Sequence, residues 1–435
     1  DTMPANIRFS SIKVRSLKKS AKESTKGKVK VGFIVGPKNC DPILQGTQAK
    51  DWPEELKVKN NTDGWGGQYH VDVQMALKLK RLHPDVFAID VIPGNQITAA
   101  RLARNHLNFN IGYDLINASM SQDARHEALV RNAFQSPKSR LWPEWDVQDW
   151  IYRKDRYLTS CKKAGIAIID MIVLKNGIVP ADVLKKVKAK GWDRFFIKPA
   201  YLGSFGLAGG KFSTKECTED PSILQKFQDH EAPGYKLFLV QPYTLKPNGQ
   251  VFDEVRNFFI DGEWAYGVYT DGTDDDKVHY VKEGSYLETT RKLATKAYEE
   301  LKKVAKWRGE KFVPPITRVD VGVIPDPARG PKAIKVFINE IEMEAATWLV
   351  RYCPFDLVSR MAQVYPKKIL ELLTRLGKTG ERVPDAEAMQ KLRSIVGGEP
   401  AAGALPQPAK AGKKRSADEA SQPDARHRAA ARVAG

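Results

Sequence analysis

The 435-residue chain has no long apolar segment and few cysteines. No apolar run approaches the about 20 residues that a bilayer-spanning helix needs, so we expect no membrane span. The cysteines have no zinc-site spacing, which predicts reduced, mostly buried thiols of an intracellular, cytoplasmic protein. They are Cys40, Cys161, Cys217 and Cys353. No Ser-His-Asp or Cys-His arrangement is apparent, so chemistry without a protein nucleophile is expected.

Acidic residues are outnumbered, and the formal net charge is +18. Residues 1–30 have nine Lys and Arg against two acids, and residues 397–435 have seven against four. The middle of the chain therefore has only a moderate positive surplus, which suits a polyanionic ligand. No zinc-finger spacing or RNP motif is present, so sequence-specific contact with nucleic acid is not predicted.

The two ends are predicted to be tails. Residues 1–28 are rich in Lys, Arg and Ser and have no apolar signal segment, which favours a basic flexible tail over a remnant transit segment. Residues 397–435 are rich in Ala, Pro and Gly and are predicted to be disordered. The cluster Lys413-Lys414-Arg415 keeps nuclear or organellar targeting open as an alternative.

Strand and helix patterns alternate between residues 29 and 118. Strand-like runs occur at 29–37, 86–92 and 110–117, and residues 69–82 have apolar positions at helical spacing. This alternation predicts a small parallel sheet. Residues 64–67 are predicted to form a tight turn, with a binding loop as the alternative. Residues 150–170 are predicted to form an amphipathic helix that ends at Gly165, followed by a strand.

The segment 194–206, with the sequence RFFIKPAYLGSFG, predicts a short buried strand that ends in Lys198 and a loop after it. A lysine fixed on a strand can place its ammonium group against a phosphate chain. Glycines in the loop let backbone N–H groups approach phosphate oxygens. The lysine precedes the glycines, so this is not a Walker loop. A buried strand with a surface turn is the alternative.

Two further segments place charges on predicted strands. Residues 253–264 predict a strand, an Asp-Gly turn and a strand, with Arg256 facing either an anion or Glu254. Residues 316–323 and 336–344 predict two more strands. Alternation puts the carboxylates of Glu340, Glu342 and Glu344 on one face, where they are costly unless a cation neutralises them. Mg²⁺ with oxygen ligands would do so, and a solvated acidic edge is the alternative.

In their order, these segments resemble the motifs of the ATP-grasp superfamily, the ligases similar to D-alanine–D-alanine ligase and glutathione synthetase. The resemblance covers residues 150–370 by motifs and 29–120 by α/β character. It implies an α/β (α+β) fold in which two sheet-containing lobes clasp ATP after a Rossmann-like domain. The expected domains are a pre-ATP-grasp domain at 29–145, an N-lobe at 146–235 and a C-lobe with the metal site at 236–378.

The resemblance also implies roles for individual residues. ATP would be bound by a basic residue beside Asp155, by the strand lysine, by the glycine loop and by the hinge between the lobes; these are Lys154 or Arg156, Lys198, Gly203, Ser204, Gly206, Gln241 and Tyr243. Many ligases have Glu where this chain has Gln241. Two Mg²⁺ ions, with Mn²⁺ as an alternative, would be held by Asp320, Glu340 and Glu342. Arg318, Lys198 and Arg256 would act on the transferred phosphoryl group.

The activity that the resemblance implies is an ATP- and Mg²⁺-dependent carboxylate–amine ligase that forms an acyl phosphate. Its substrates would be small-molecule or peptide carboxylates and amines. A homodimer is an open alternative for the oligomeric state. The segment 343–348 replaces the Pro-Gly loop of such ligases, so substrate specificity is not implied. The alternatives are a kinase of the inositol-phosphate type and a non-catalytic nucleotide-binding structural protein.

Overall fold

Three sheets of four or five strands organise the described part of the protein. The structure is a computed structural model and describes residues 26–35, 71–112, 124–201, 210–231, 235–246, 249–270, 278–281, 285–330, 333–343 and 353–397. The described residues up to Val396 belong to one compact unit. In these ranges, no helix combines the length and the apolar character that crossing a bilayer requires.

The first sheet is parallel, with the strand order β2-β1-β3-β4. Its elements are β1 (Val29–Val35), α1 (Val71–Leu82), β2 (Phe87–Pro93), α2 (Ala99–Leu102), β3 (Leu107–Asn110), α3 (Ala124–Gln135) and β4 (Leu141–Trp142). The predicted parallel sheet is therefore confirmed. Strand β1 is buried on both faces, as its nearly continuous apolar sequence requires. The expected turn at 64–67 lies outside the described residues.

The second sheet has the strand order β5-β8-β6-β7. Its elements, with the two helices that precede it, are α4 (Trp145–Tyr152), α5 (Lys154–Lys163), β5 (Ile172–Leu174), α6 (Pro180–Ala189), β6 (Arg194–Pro199), β7 (Gly210–Ser213), α7 (Thr214–Glu219), α8 (Ser222–Lys226) and β8 (Phe238–Pro242). One face forms a core with Phe195, Ile197 and Val240. Because β8 pairs with β5 and β6, it lies in this sheet, beyond the lobe boundary expected at 235.

The helix expected from residue 150 is instead divided between α4 and α5. Arg153 has an extended backbone, with φ −104° and ψ 92°, and forms a β-bridge with Tyr201. The N–H group of Lys154 then donates to the carbonyl of Ala200 at 2.7 Å. The interruption therefore fixes the first turn of α5 against the end of β6. Gly165 follows α5 with φ 71°, as expected for a glycine that ends a helix.

The third sheet has the strand order β11-β10-β9-β14-β15. Its strands are β9 (Asp253–Ile260), β10 (Glu263–Thr270), β11 (Val278–Val281), β14 (Ile316–Pro325) and β15 (Ile334–Glu342). The same part of the chain contains the helices α9 (Ser285–Val304), α10 (Leu357–Lys378) and α11 (Ala386–Gly397), and a separate two-stranded sheet of β12 (Lys306–Trp307) and β13 (Glu310–Lys311). The predicted Asp261-Gly262 turn joins β9 to β10 with φ values of 52° and 93°. Positive φ at both positions is typical of a type I′ hairpin.

The cysteines agree with the prediction where they are described. Cys161 and Cys217 are buried, Cys353 is half-buried, and all three are free thiols. Burial raises the pKa of Cys161 to about 12, which keeps this thiol protonated and unreactive. Cys40 lies outside the described residues.

His106 provides a test of the first sheet through its pH dependence. Its Nδ1 accepts a hydrogen bond from the N–H group of Lys30 at 2.9 Å. Burial first, and then Arg382, Lys30 and Arg140, lower the pKa of His106 to about 4. Between pH 6.5 and 4 the unfolded chain therefore binds a proton that the folded protein does not, and stability falls as pH falls.

Replacing His106 should flatten this pH dependence. The wild type is expected to lose about 2 kcal/mol of unfolding free energy through His106 between pH 7 and pH 5. His106→Asn keeps an acceptor near the position of Nδ1 but cannot titrate, so it should lose about 2 kcal/mol less over this interval. Denaturant titrations of both proteins at the two pH values measure the difference. Equal losses would contradict the buried neutral histidine.

Candidate active site

Acidic and basic side chains meet where the second sheet approaches the third. The acids are Glu254, Asp320, Glu340 and Glu342, and the bases are Lys154, Lys198, Arg256 and Arg318. The chain between α5 and β5 supports this approach, because the N–H group of Ile338 donates to the carbonyl of Ala167 at 2.8 Å. The third sheet is thus anchored beside α5.

Asp320, Glu340 and Glu342 form a carboxylate cluster. Each offers an oxygen, and these oxygens lie within 4.8 Å of one another. Strands β14 and β15 bring the three together, since Asp320 pairs with Glu340 and Arg318 with Glu342 in the antiparallel register. Asp320 and Glu342 are buried and Glu340 is half-buried. The predicted grouping of these carboxylates is therefore present in the structure, while Glu344 lies outside the described residues.

A β-bulge in β15 determines the direction of Glu340. Neighbouring residues of β14, Asp320 and Val321, pair with Glu340 and Ile338, which are two positions apart. Asn339 is the extra residue between them. Because side chains alternate along a strand, Ile338 faces the core with Val321 while Glu340 faces the cluster with Asp320. A regular strand would put Ile338 and Glu340 on the same face.

Arg318 holds two members of the carboxylate cluster. Its Nε donates to Asp320 Oδ1 at 2.8 Å, and its Nη2 lies 2.6 Å from both Asp320 Oδ2 and Glu342 Oε2. Burial raises the pKa of Asp320 to about 6 even though Arg318 acts in the opposite direction. The site therefore disfavours bare negative charge and favours a bound cation.

Two lysines approach the carboxylate cluster from the other side. Lys154, only 2% exposed, forms an ion pair with Glu340 through Nζ and Oε1. Burial, and secondarily the positive charge of Lys154, lowers the pKa of Lys198 to about 8. Burial alone would raise the pKa of Glu340, but the charges of Lys154 and Lys198 lower it below its usual range. An anion placed near Lys198 would favour its charged form.

Glu254 and Arg256 form a pair on β9. Arg256 Nε donates to Glu254 Oε1 at 2.8 Å. Of the two partners that the sequence allowed for Arg256, an anion or Glu254, the structure shows Glu254. Asn339 Nδ2 donates to the other oxygen, Glu254 Oε2, at 2.7 Å. Arg256 also lies opposite Asp320 in the pairing of β9 with β14. Its guanidinium group is therefore beside the carboxylate cluster and already has one carboxylate partner.

The remaining candidate residues are placed differently from one another. Of the two alternatives on α5, Lys154 reaches the cluster, whereas Arg156 is 46% exposed and pairs with Asp149. Gln241 is buried and pairs in register with Phe196, on the strand that carries Lys198. The ring of Tyr243 lies near two cations, Arg194 at 5.1 Å and Lys211 at 5.4 Å. The loop residues Gly203, Ser204 and Gly206 lie outside the described residues.

Sequence reasoning missed one functional candidate, Asn339. The only signal available for it is the spacing of the buried residues Ile338 and Ile341. They are three positions apart, whereas a regular strand with one buried face has a spacing of two. That spacing is typical of a bulge between them.

Comparison with solved structures identifies the fold. The structure resembles D-cycloserine synthetase DcsG with a TM-score of 0.53 and 15% identity, over 77% of this chain and 98% of that chain. It resembles D-alanine–D-alanine ligase from Bacillus anthracis complexed with ATP with a TM-score of 0.49 and 12% identity, over 81% and 99%. It resembles the ATP-grasp ligase PsnB complexed with a minimal precursor with a TM-score of 0.46 and 11% identity, over 79% of this chain and 100% of that chain.

The chain has the ATP-grasp fold, and the fold predicted from the sequence is confirmed. No protein-family model and no curated protein sequence matches the chain. The likeness to known proteins is therefore one of fold, at 15% sequence identity to D-cycloserine synthetase DcsG.

Proposed function

We propose that the protein is an ATP- and Mg²⁺-dependent carboxylate–amine ligase that acts on an amino acid or a peptide. The observation that carries this proposal is the carboxylate cluster, which lies against Lys154, Lys198 and Arg318 within an ATP-grasp fold. Four acids and four bases balance one another there. A triphosphate with its metal ions can enter such a site with little change in net charge.

The carboxylate cluster fits Mg²⁺ by its chemistry. Mg²⁺ prefers hard oxygen ligands at about 2.0–2.1 Å, and paired ions in such sites lie about 3.5–4 Å apart. Oxygens of Asp320, Glu340 and Glu342 within 4.8 Å of one another suit one or two such ions, of Mg²⁺ or Mn²⁺. When bound, the metal would supply positive charge to the phosphate oxygens.

Nucleotide binding is assigned to the face of the second sheet that is opposite its core. Lys198 on β6 and Gln241 on β8 share this face, since they alternate with the core residues Ile197 and Val240. Lys198 would hold phosphate oxygens together with Lys154, and Gln241 would lie near the adenine. The loop residues Gly203, Ser204 and Gly206 remain predicted phosphate contacts, and Tyr243 remains a predicted hinge contact.

In the proposed reaction, a substrate carboxylate oxygen attacks the terminal phosphorus of ATP, and ADP leaves. The amine then attacks the carbonyl carbon of the acyl phosphate, phosphate leaves, and the amine nitrogen loses a proton. Arg318 and Arg256 lie beside the carboxylate cluster, where their charges can stabilise the phosphoryl group in the transition state. Positioning and electrostatics therefore account for the chemistry.

The proposal is tested by nucleotide binding and by turnover. Mg²⁺ with ATP at 100 times its Kd should raise the unfolding free energy by about 2.7 kcal/mol, seen as a higher Tm. ADP release should then require both a carboxylate and an amine from a panel of amino acids and peptides, with the amide product seen by mass spectrometry. Release with polyols alone would support the kinase alternative. No Tm shift at millimolar nucleotide would support a structural role.

Lys198 gives a prediction about proton uptake. With a pKa of about 8, Lys198 is mostly neutral at pH 9 in the free protein, and nearby phosphates should restore its charge. The protein should therefore take up close to one proton on binding ATP at pH 9, and much less than one at pH 7. Calorimetric titrations in two buffers with different ionisation enthalpies measure the uptake. Lys198→Met should bind ATP more weakly and lose the uptake at pH 9, and unchanged uptake would exclude this role.

A further inference from the structure

The bulge that directs Glu340 is held by a residue on another strand. Asn339, the extra residue of the bulge in β15, donates through Nδ2 to Glu254 Oε2 at 2.7 Å. Glu254 lies on β9, and β14 runs between β9 and β15. The hydrogen bond therefore passes over one whole strand, a distance of two inter-strand spacings or about 9.5 Å between backbones.

A glycine on β14, Gly322, lies beneath this crossing. Gly322 is the residue of β14 that pairs with Glu254 on one side and with Phe337 on the other. A Cβ atom at Gly322 would lie 2.3 Å from the ring of Phe337. The ring of Phe337 therefore covers Gly322. No side chain at position 322 separates Glu254 from the bulge.

Glu254 is itself held in place from its own strand. It is 8% exposed, and its second oxygen accepts a hydrogen bond from Arg256 Nε at 2.8 Å. Each carboxylate oxygen thus has a donor, so the orientation of the group is fixed by both. If the Asn339 amide moved away, Glu254 Oε2 would be left buried without this hydrogen bond. The free-energy cost of that loss opposes any relaxation of the bulge.

We propose that Glu254 and Asn339 are positioning residues that aim Glu340 at the metal. The hydrogen bond between them holds the bulge, and the bulge puts Glu340 on the face of Asp320 instead of the face of Ile338. This inference rests on the metal role proposed above for the carboxylate cluster. Groups that orient metal ligands commonly change metal affinity by about 10–100-fold when they are removed.

Direct Mn²⁺ binding to the full chain tests the proposal without turnover. Free Mn²⁺ would be followed by electron paramagnetic resonance in the presence of a non-hydrolysable ATP analogue. Asn339→Ala should raise the Mn²⁺ Kd by about 10–100-fold. Asn339→Ser keeps a small hydrogen-bond donor and should raise the Mn²⁺ Kd less than Asn339→Ala does. This variant also provides the test if the alanine variant does not fold. In the Glu254→Gln protein, adding Asn339→Ala should raise the Mn²⁺ Kd by a smaller factor than it does in the wild type, because the two residues act as a pair.

Trp264→Phe is the matched control. It deletes a donor to Asn257 Oδ1 in the same sheet, at 3.1 Å, and Asn257 faces away from the carboxylate cluster because it alternates with Arg256 on β9. This variant should lower Tm and leave the Mn²⁺ Kd unchanged. A wild-type Mn²⁺ Kd in Asn339→Ala, with only a lower Tm, would overturn the positioning role. Absence of Mn²⁺ binding by the wild type would instead overturn the metal role, and the inference with it.

Discussion

Glu340→Gln protein should release ADP at least about 100-fold more slowly than wild type while keeping its fold. The amide has the shape of the carboxylate but lacks the charge that binds a divalent cation. Charge supplied by a bound metal contributes several kcal/mol to such reactions, and each 1.36 kcal/mol is about tenfold in rate. Turnover at saturating ATP and Mg²⁺ measures the effect, and circular dichroism verifies the fold.

Glu342→Gln and Asp320→Asn should lose turnover to a similar extent, because the three carboxylates form one cluster. Glu288→Gln is the matched control, since Glu288 on α9 pairs with Lys292 and is 55% exposed. Its activity and its Tm should equal those of the wild type. Wild-type ADP release by Glu340→Gln would reject the metal assignment and remove the main support for ligase or kinase chemistry.

The local parts of the fold could be predicted from the sequence because they depend on neighbouring residues. The Asp261-Gly262 turn needs positive φ at two positions, which this pair adopts readily, and the hairpin forms there. Two members of the carboxylate cluster, Glu340 and Glu342, also followed from a pattern, since they are two positions apart on a strand with apolar neighbours. In both cases, a short stretch of sequence contains the whole signal.

Other features depend on contacts between distant segments, which a single sequence does not encode in a readable way. The choice between Lys154 and Arg156 depends on where α5 begins, and the interruption at Arg153 is set by its bridge to Tyr201 rather than by Gly or Pro. Strand β8 joins the second sheet because of its pairing with β6. The bulge at Asn339 likewise depends on Glu254, 85 residues earlier in the chain.

Arg318→Met should destabilise the protein without added metal by about 3–5 kcal/mol, because Asp320 and Glu342 would lose their buried cation. The methionine keeps much of the side-chain volume, so the loss reports mainly the charge. Arg318→Lys retains a positive charge but not the paired hydrogen bonds to Asp320. Its free energy of unfolding should therefore lie between those of the wild type and Arg318→Met. Denaturant unfolding in the presence of a chelator measures all three stabilities.

Magnesium should then recover part of the stability that Arg318→Met loses. In the wild type, the guanidinium group would compete with a bound metal ion for Asp320 and Glu342, since it lies 2.6 Å from an oxygen of each. Without that competitor, Mg²⁺ should bind the folded protein more tightly and stabilise it more than it stabilises the wild type. Turnover should remain low despite this recovery, because a metal-bound carboxylate cluster without Arg318 lacks the charge beside the transferred phosphoryl group. An equal response of both proteins to Mg²⁺ would show that Arg318 and the metal do not share these carboxylates.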